Sequence, residues 1–405
     1  MSYSLSFLLS SLTCLAGAAF ITLPQGVMVS EWFLVDTPAA YLSLIAIVFT
    51  VVYLSLGAQN LSAPETACIA VSLVSCLFCF TTSNIFAFWV SYEGTIIPLL
   101  VSLYLSSPYS ERFLAGWYLL MYVLLTSLPL LLLLAYMSLV AGSQTITEVG
   151  GTAPSWAVLA SFVLFITKVP LPPFHAWLPI VHAEASTFVS VVLSGYVMKL
   201  GLIGILRLCW PVVPSVGHYV CACFVFSLLF YIASYAELDS KRWLAFLSLG
   251  HILVAILGVS FLSPDNWGFS VVFCLGHGVS AGLLFYLFGV GYESAGSRNW
   301  VVIGHSSYMS LGWRCLLVAG LLTVASFPPS ISFVSEVIIL AQCLGSLATA
   351  GVFSGYLFLG GLVPLVLLSY LLVGATTQSS SATRTGGQIA LLAMFFLWLL
   401  AAACV

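Results

Sequence analysis

Apolar residues fill this chain in long blocks, and short polar stretches part them at intervals that suit membrane-spanning helices. A helix needs about 20 residues to cross a bilayer. Blocks of that order lie near 5–23, 37–57, 66–82, 84–106, 112–138, 155–174, 186–209, 217–236, 243–262, 267–290, 311–349, 352–374 and 387–405. The pattern predicts thirteen crossings, with 311–349 counted as one broken crossing. No stretch alternates strictly between apolar and polar residues, and an open sheet edge cannot face lipid. The expectation is an all-α polytopic membrane protein without strands.

Proline interrupts two of the blocks. ITKVPLPPFHAWLP (166–179) sets Pro170, Pro172 and Pro173 just after Lys168, and ASFPPSISFVSE (325–336) sets Pro328 and Pro329 ahead of Glu336. Proline removes a helical N–H and clashes with the preceding turn. In a membrane the freed carbonyls must meet protein or water. A broken helix in each half of a membrane protein points to a transport path, often within related repeats; the alternative is a packing kink. On this reading 66–209 and 217–374 form two half-channel repeats of one transmembrane domain, 1–405. Helices within 1–65 and a terminal helix at 387–405 flank them.

Composition excludes the soluble classes. Hydrophobic residues make up 62% of the chain and charged residues 5%, against about 25% charged in a soluble domain. The net charge of −3 and the lack of a basic tract give no reason to expect nucleic acid. The N-terminal apolar run lacks a positive leader and reads as a retained helix, not a cleaved signal or transit peptide. Eleven cysteines are scattered. Cys76 with Cys79, and Cys221 with Cys223, lie in apolar blocks without a complementary ligand cluster and read as small buried hydrophobes. No phosphate-binding loop, dinucleotide fingerprint or cluster-binding cysteine run is present, so no cofactor is expected in this chain.

The few charges sort by position. Arg112, Lys241, Arg242, Arg298, Arg314 and Arg384 fall in loops on one side and Arg207 on the other, which sets the first group on the cytoplasmic or matrix side. Inside the apolar blocks remain Glu93, Lys168, Lys199, His251, His277 and Glu336. A charge near the bilayer centre costs about 2.5–3.5 kcal/mol on insertion scales, so such residues face the bundle interior and pair with one another. Acids, lysines and histidines in alternation can pass a proton when modest movements change their neighbours. The plainer readings are a static ion pair at Glu93, satisfied core residues at His251 and His277, and snorkelling at Lys199. Lys199 lies eight residues before Arg207, about 12 Å deeper at 1.5 Å per residue. His175, His182 and Glu184 cluster after the first break without the zinc spacing HExxH; they line either a loop or the mouth of a proton path. Glu237, Asp239, Lys241 and Arg242 read as solvated loop charges.

These residues, in this order and register, resemble the antiporter-like subunits of respiratory complex I and of multisubunit Na⁺/H⁺ antiporters. Lys168-Val-Pro170-Leu171-Pro-Pro-Phe-His175-Ala-Trp177-Leu178-Pro179 fits the family's Lys-x-Pro-Leu-x-x-x-His-x-Trp-Leu-Pro. His182-Ala-Glu184-Ala185 follows, with Ser186 where the family has proline, and Lys199 comes 31 residues after Lys168 as in the family. Tyr92-Glu93-Gly-Thr95-Ile-Ile-Pro98, the run from Asp239 and Lys241 to His251, and Gly276-His277-Gly278 continue the match, which covers about 84–345. Glu336 stands where the subunit 2-like and subunit 5-like members carry lysine, and so favours the subunit 4 branch.

The resemblance implies an antiporter-like inverted-repeat fold. It implies a gating pair of Glu93 and Lys168, a central carrier at Lys199, a relay through His251 and His277, and an exit at Glu336. It implies proton translocation within NADH:ubiquinone oxidoreductase, driven by quinone reduction elsewhere, with NADH, FMN, iron–sulfur clusters and ubiquinone held by other subunits. Subunit 2-like and subunit 5-like homologues, the lipid bilayer and cardiolipin would be its partners, in the mitochondrial inner membrane. It also implies one N-terminal helix fewer than the family, because Glu93 falls in the fourth crossing here and the fifth there. Ser186 would relax the entry to the Lys199 helix. The other readings are a subunit of a standalone cation/proton antiporter, a scaffold with an inactive path, and a bacterial plasma-membrane location.

Overall fold

In a computed structural model, residues 28–30, 32–52, 62–305, 311–328, 330–343 and 347–373 are described. The crossings expected at 5–23 and 387–405 lie outside these residues, as do Pro329 and Arg384. Each remaining crossing has its helix. The first half comprises α1 (Thr37–Val52), α2 (Ala63–Thr81), α3 (Ile85–Gly94), α4 (Ile97–Ser106), α5 (Arg112–Leu119), α6 (Leu125–Ala141), α7 (Ile146–Thr152), α8 (Ser155–Lys168), α9 (Trp177–Glu184), α10 (Thr187–Val192) and α11 (Met198–Leu208). The second comprises α12 (Gly217–Ala236), α13 (Ser240–Phe261), α14 (Gly268–Ala295), α15 (Trp300–His305), α16 (Leu311–Val324), α17 (Ile331–Cys343) and α18 (Leu347–Val373). Among the described residues, eight helical stretches, one of them (Ile85–Ser106) with a turn inside it, are long and apolar enough to cross a membrane. α8, α16 and α17 are shorter apolar helices that end at or start from the two proline breaks.

Local chemistry sets the ends. Asn84 caps α3 by accepting from the N–H groups of Phe86 and Ala87 at 2.9 and 3.2 Å, and Asp239 caps α13 through Lys241 N at 2.9 Å. Such caps satisfy donors that a helix start leaves orphaned. Gly142 and Gly296 close α6 and α14 at φ of 65° and 68°, left-handed values that favour glycine.

Two expectations are corrected. A two-residue antiparallel hairpin, β1 (Met28–Val29) and β2 (Leu34–Val35), precedes α1; it is too short to leave an alternating pattern. The block 84–106 is not one helix: it turns at Thr95 and Ile96, between α3 and α4. Pro98 causes this, since its ring clashes with the carbonyl four residues back, at Gly94. Pro129, by contrast, stays inside α6, and the turn it crowds follows a π-helical stretch, Leu120–Leu124.

Burial runs inside out, as a bilayer requires. α10, α11, α13 and α14 are enclosed almost completely, whereas α5, α6, α12 and α18 turn large apolar side chains outward. Leu139 is 83% and Leu132 73% exposed. Apolar surface on this scale is not left to water. Two glycines allow close backbone approaches beside the charged residues. A Cβ on Gly201 of α11 would meet the Phe165 carbonyl of α8 at 2.8 Å, and one on Gly278 of α14 would meet the Gly195 carbonyl at 2.9 Å. These contacts draw the helix of Lys168 against that of Lys199, and Lys199 against that of His277.

Candidate functional site

The six ionisable residues singled out in the sequence all lie inside the bundle, none more than 5% exposed. The structure gathers them into two groups. In the first, Lys168 at the end of α8 donates to the Glu93 carboxylate of α3 at 3.1 Å. Its ammonium also lies over the Tyr92 ring, 2.8 Å from the centroid. The Glu93 Oε2 atom has no partner. Pro170, Pro172 and Pro173 end α8 directly beyond Lys168. Carbonyls at the break are taken by side chains: Trp177 donates to Thr167 O at 3.0 Å, and Tyr219 donates to Pro172 O.

The second group starts at Lys199. A π-helical stretch, Leu193–Val197, joins α10 to α11 just before it. Such bulges are frequent at functional sites, and here Lys199 Nζ donates to the Ser194 carbonyl inside it. The same Nζ lies 3.2 Å from His277 Nδ1. The His277 ring stacks on His251 with centroids 5.6 Å apart and 18° between planes, while its Nε2 has no partner. Both ring nitrogens of His251 face carbonyl oxygens, Leu247 at 2.8 Å and Val324 at 3.0 Å. Val324 is the last residue of α16, so a histidine takes a carbonyl that the second break frees.

From His251 the file continues through residues that sequence reading missed. Tyr231 and Tyr356 stand edge-on to its ring at 5.9 and 6.1 Å, and Tyr356 OH donates to Glu336 Oε1 at 2.8 Å. Tyrosines in apolar helices carry no insertion penalty like that of a charge, so neither stood out. No direct contact joins Lys168 to Lys199. Between their helices, Ser72 of α2 donates to Thr95 O at the α3–α4 turn at 2.6 Å and meets Tyr196 OH of the π stretch at 2.7 Å.

The cluster after the first break divides. His175 rests against Phe230 with ring centroids 4.9 Å apart. His182 is buried and stacks on Phe285 at 4.6 Å, with neither nitrogen bonded. Glu184 lies 3.7 Å from Arg298, which also pairs with Asp239 at 3.2 Å. Two basic residues assigned to loops are corrected. Lys241 is buried: its Nζ donates to Ala185 O at 2.6 Å and lies 5.0 Å from the Tyr109 ring centroid. Burial pushes the Tyr109 phenol pKa up, so the ring stays neutral beside it. Arg207 is buried too, donating to the carbonyls of Phe80 and Thr82 at the end of α2 and pairing with Asp36 at 3.1 Å. Cys76 and Cys79 are free and buried, and no metal-binding group of His, Cys, Asp and Glu occurs among the described residues.

Residues 82–362, which hold this whole file, match the family model described as NADH:quinone oxidoreductase/Mrp antiporter, TM. The chain belongs to this family. Its similar curated relatives include NADH-ubiquinone oxidoreductase chain 4 of Myxine glutinosa, 29% identical over 282 residues (65% of this chain and 59% of that one). The protein of the same name from Locusta migratoria is 30% identical over 275 residues, 64% and 60% of the two chains. The chain thus spans about six-tenths of the length of these relatives. Its fold is that of a chain in the respiratory complex I of Thermus thermophilus, with a TM-score of 0.82 and 22% identity, covering 100% of this chain and 91% of that one. The antiporter-like fold expected from the motifs is therefore the observed one.

Proposed function

We propose that the chain is a proton-translocating membrane subunit of NADH:ubiquinone oxidoreductase, of the chain 4 type, in the mitochondrial inner membrane. The observation that carries this reading is the buried file Lys199–His277–His251–Tyr356–Glu336, hydrogen-bonded at its two ends and joined by ring contacts between, beside a buried Glu93–Lys168 pair. Burying charges is expensive, and a buried pair is by itself weak evidence for stability; intramembrane ionisable residues are by default functional. The names of the two curated relatives above, both chain 4 of this oxidoreductase, favour it over a standalone antiporter subunit.

Each group has a role in the proposed transfer. Opening or closing the Glu93–Lys168 pair changes the field along the bundle and so biases the proton on Lys199. Lys199 passes that proton from Nζ to the Nδ1 lone pair of His277, which can then give one up from Nε2. His251 and Tyr356 carry the transfer to Glu336 once side-chain rotation exchanges the His251 bonds to Leu247 O and Val324 O for bonds to His277 and the Tyr356 hydroxyl. Quinone reduction in other subunits supplies the energy, and NADH, FMN, iron–sulfur clusters and ubiquinone are bound there, not here. Subunit 2-like and 5-like homologues are the expected neighbours.

The test is Lys199→Met in the assembled complex, with proton uptake and NADH oxidation measured together in sealed vesicles. Coupled proton transport should be lost or strongly reduced. A normal proton-to-electron ratio would remove Lys199 from the path. Purification without flavin- or iron–sulfur-bearing subunits would favour the standalone antiporter.

A further inference from the structure

The two lysines of the path are explained by their partners; the third, Lys241, is not. It sits in the first turn of α13, buried, yet among the described residues no carboxylate lies within salt-bridge distance of it. Its ammonium donates to the Ala185 carbonyl at 2.6 Å and, more weakly, to the Tyr109 hydroxyl at 3.4 Å. That carbonyl is one of three in succession. Arg298 donates to Ala183 O, Ser107 to Glu184 O and Lys241 to Ala185 O. The next residue, Ser186, donates from its hydroxyl to Glu65 Oε1 of α2 at 3.0 Å.

These four residues connect the half-helix α9 to α10, the helix that leads into the π stretch and Lys199. Ala185 and Ser186 are extended, with ψ of 151° and 159°. A helix end leaves carbonyls unpaired and carries partial negative charge, so cationic donors suit it. Here the donors come from three separate elements: the loop before α15, the end of α4 and the start of α13. The break before α9 removes the continuous backbone that would otherwise fix this end.

We propose that Lys241, with Ser107 and Arg298, forms a clamp on residues 183–186, and that Lys241 is a positioning residue for the Lys199 helix. The Ser186–Glu65 bond ties the same joint to α2. The clamp itself is a matter of hydrogen bonds; its consequence for transport rests on the function proposed above.

Amide hydrogen exchange across 181–190 in the assembled complex tests it. The Ala185 and Ser190 N–H groups donate to Val181 O and Ser186 O and report on the joint. Lys241→Met should raise their exchange about tenfold or more, the factor that loss of one charge-assisted bond gives. Lys241→Arg, which keeps a cationic donor, should stay near wild type. Should the Met variant fail to assemble, Ser107→Ala removes one bond to the joint, that to Glu184 O, along with the 3.3 Å bond from Tyr109 N–H, and should raise the same exchange less. Wild-type exchange in the Met or Ser107→Ala variant, or equal loosening by Met and Arg, overturns the clamp. Loosened exchange with unchanged proton-to-electron ratio keeps the clamp and removes its link to Lys199.

Discussion

Tyr356 shows how much a single uncharged side chain can decide. Its hydroxyl is the donor to Glu336 Oε1, and its ring stands against both Tyr231 and His251. A hydrogen bond to a charged group contributes about 1.5–3 kcal/mol, or about tenfold and more in any step that needs the ionised carboxylate. Tyr356→Phe keeps the ring packing and removes only the hydroxyl. Initial rates of proton uptake should fall about tenfold with the complex still assembled; an unchanged rate would place Tyr356 outside the path. Glu336 was legible from sequence because a charge in an apolar block is costly. Tyr356 was not, because one tyrosine among many in such a chain costs nothing unusual. Lys241 was misread for the opposite reason. The residues just before its helix, Glu237 to Asp239, are loop residues, and the carbonyl that buries it lies 56 residues away.

At the scale of elements, backbone approach sets the geometry of the file. Gly278 lets α14 rest on the carbonyl of Gly195, and that contact holds His277 beside Lys199. Gly278→Ala gains helix propensity of about 0.5–1 kcal/mol, but its Cβ would press on backbone that cannot yield. Overpacking of this kind costs about 1–3 kcal/mol, so the net sign is destabilising. A lowered melting temperature of the complex, with impaired pumping, is the expected result; a variant as stable as wild type would show that the helices can separate freely. The two proline clusters announced the two breaks correctly. The third turn, at Thr95 and Ile96, was missed because Pro98 stands alone in a long apolar run. Prolines in that position do not always break a helix, as Pro129 and Pro364 show.

Over the whole molecule, Arg207 joins parts distant in sequence. Its guanidinium gathers Leu34 O from the hairpin, Phe80 O and Thr82 O from the end of α2, and the Asp36 carboxylate. Removing one partner of a buried charged network typically costs about 3–5 kcal/mol, less where a partner is wetted as Asp36 is. Arg207→Ala should therefore lower the thermal stability and the yield of the assembled complex far more than a substitution at the half-buried Arg242. Equal effects would mean that the contacts at α2 contribute nothing.

The sequence by itself determined the class, the crossings among the described residues and the six charged positions. Each follows from a large local term: apolar length against bilayer thickness, and the cost of a charge in hydrocarbon. What the charges touch was decided only by tertiary structure. The pairing of Lys168 with Glu93, the stacking of His277 on His251, the tyrosines before Glu336 and the burial of Lys241 all depend on contacts between helices far apart in the chain. Such contacts are worth little singly and leave no periodic signature, so only the packed bundle selects them.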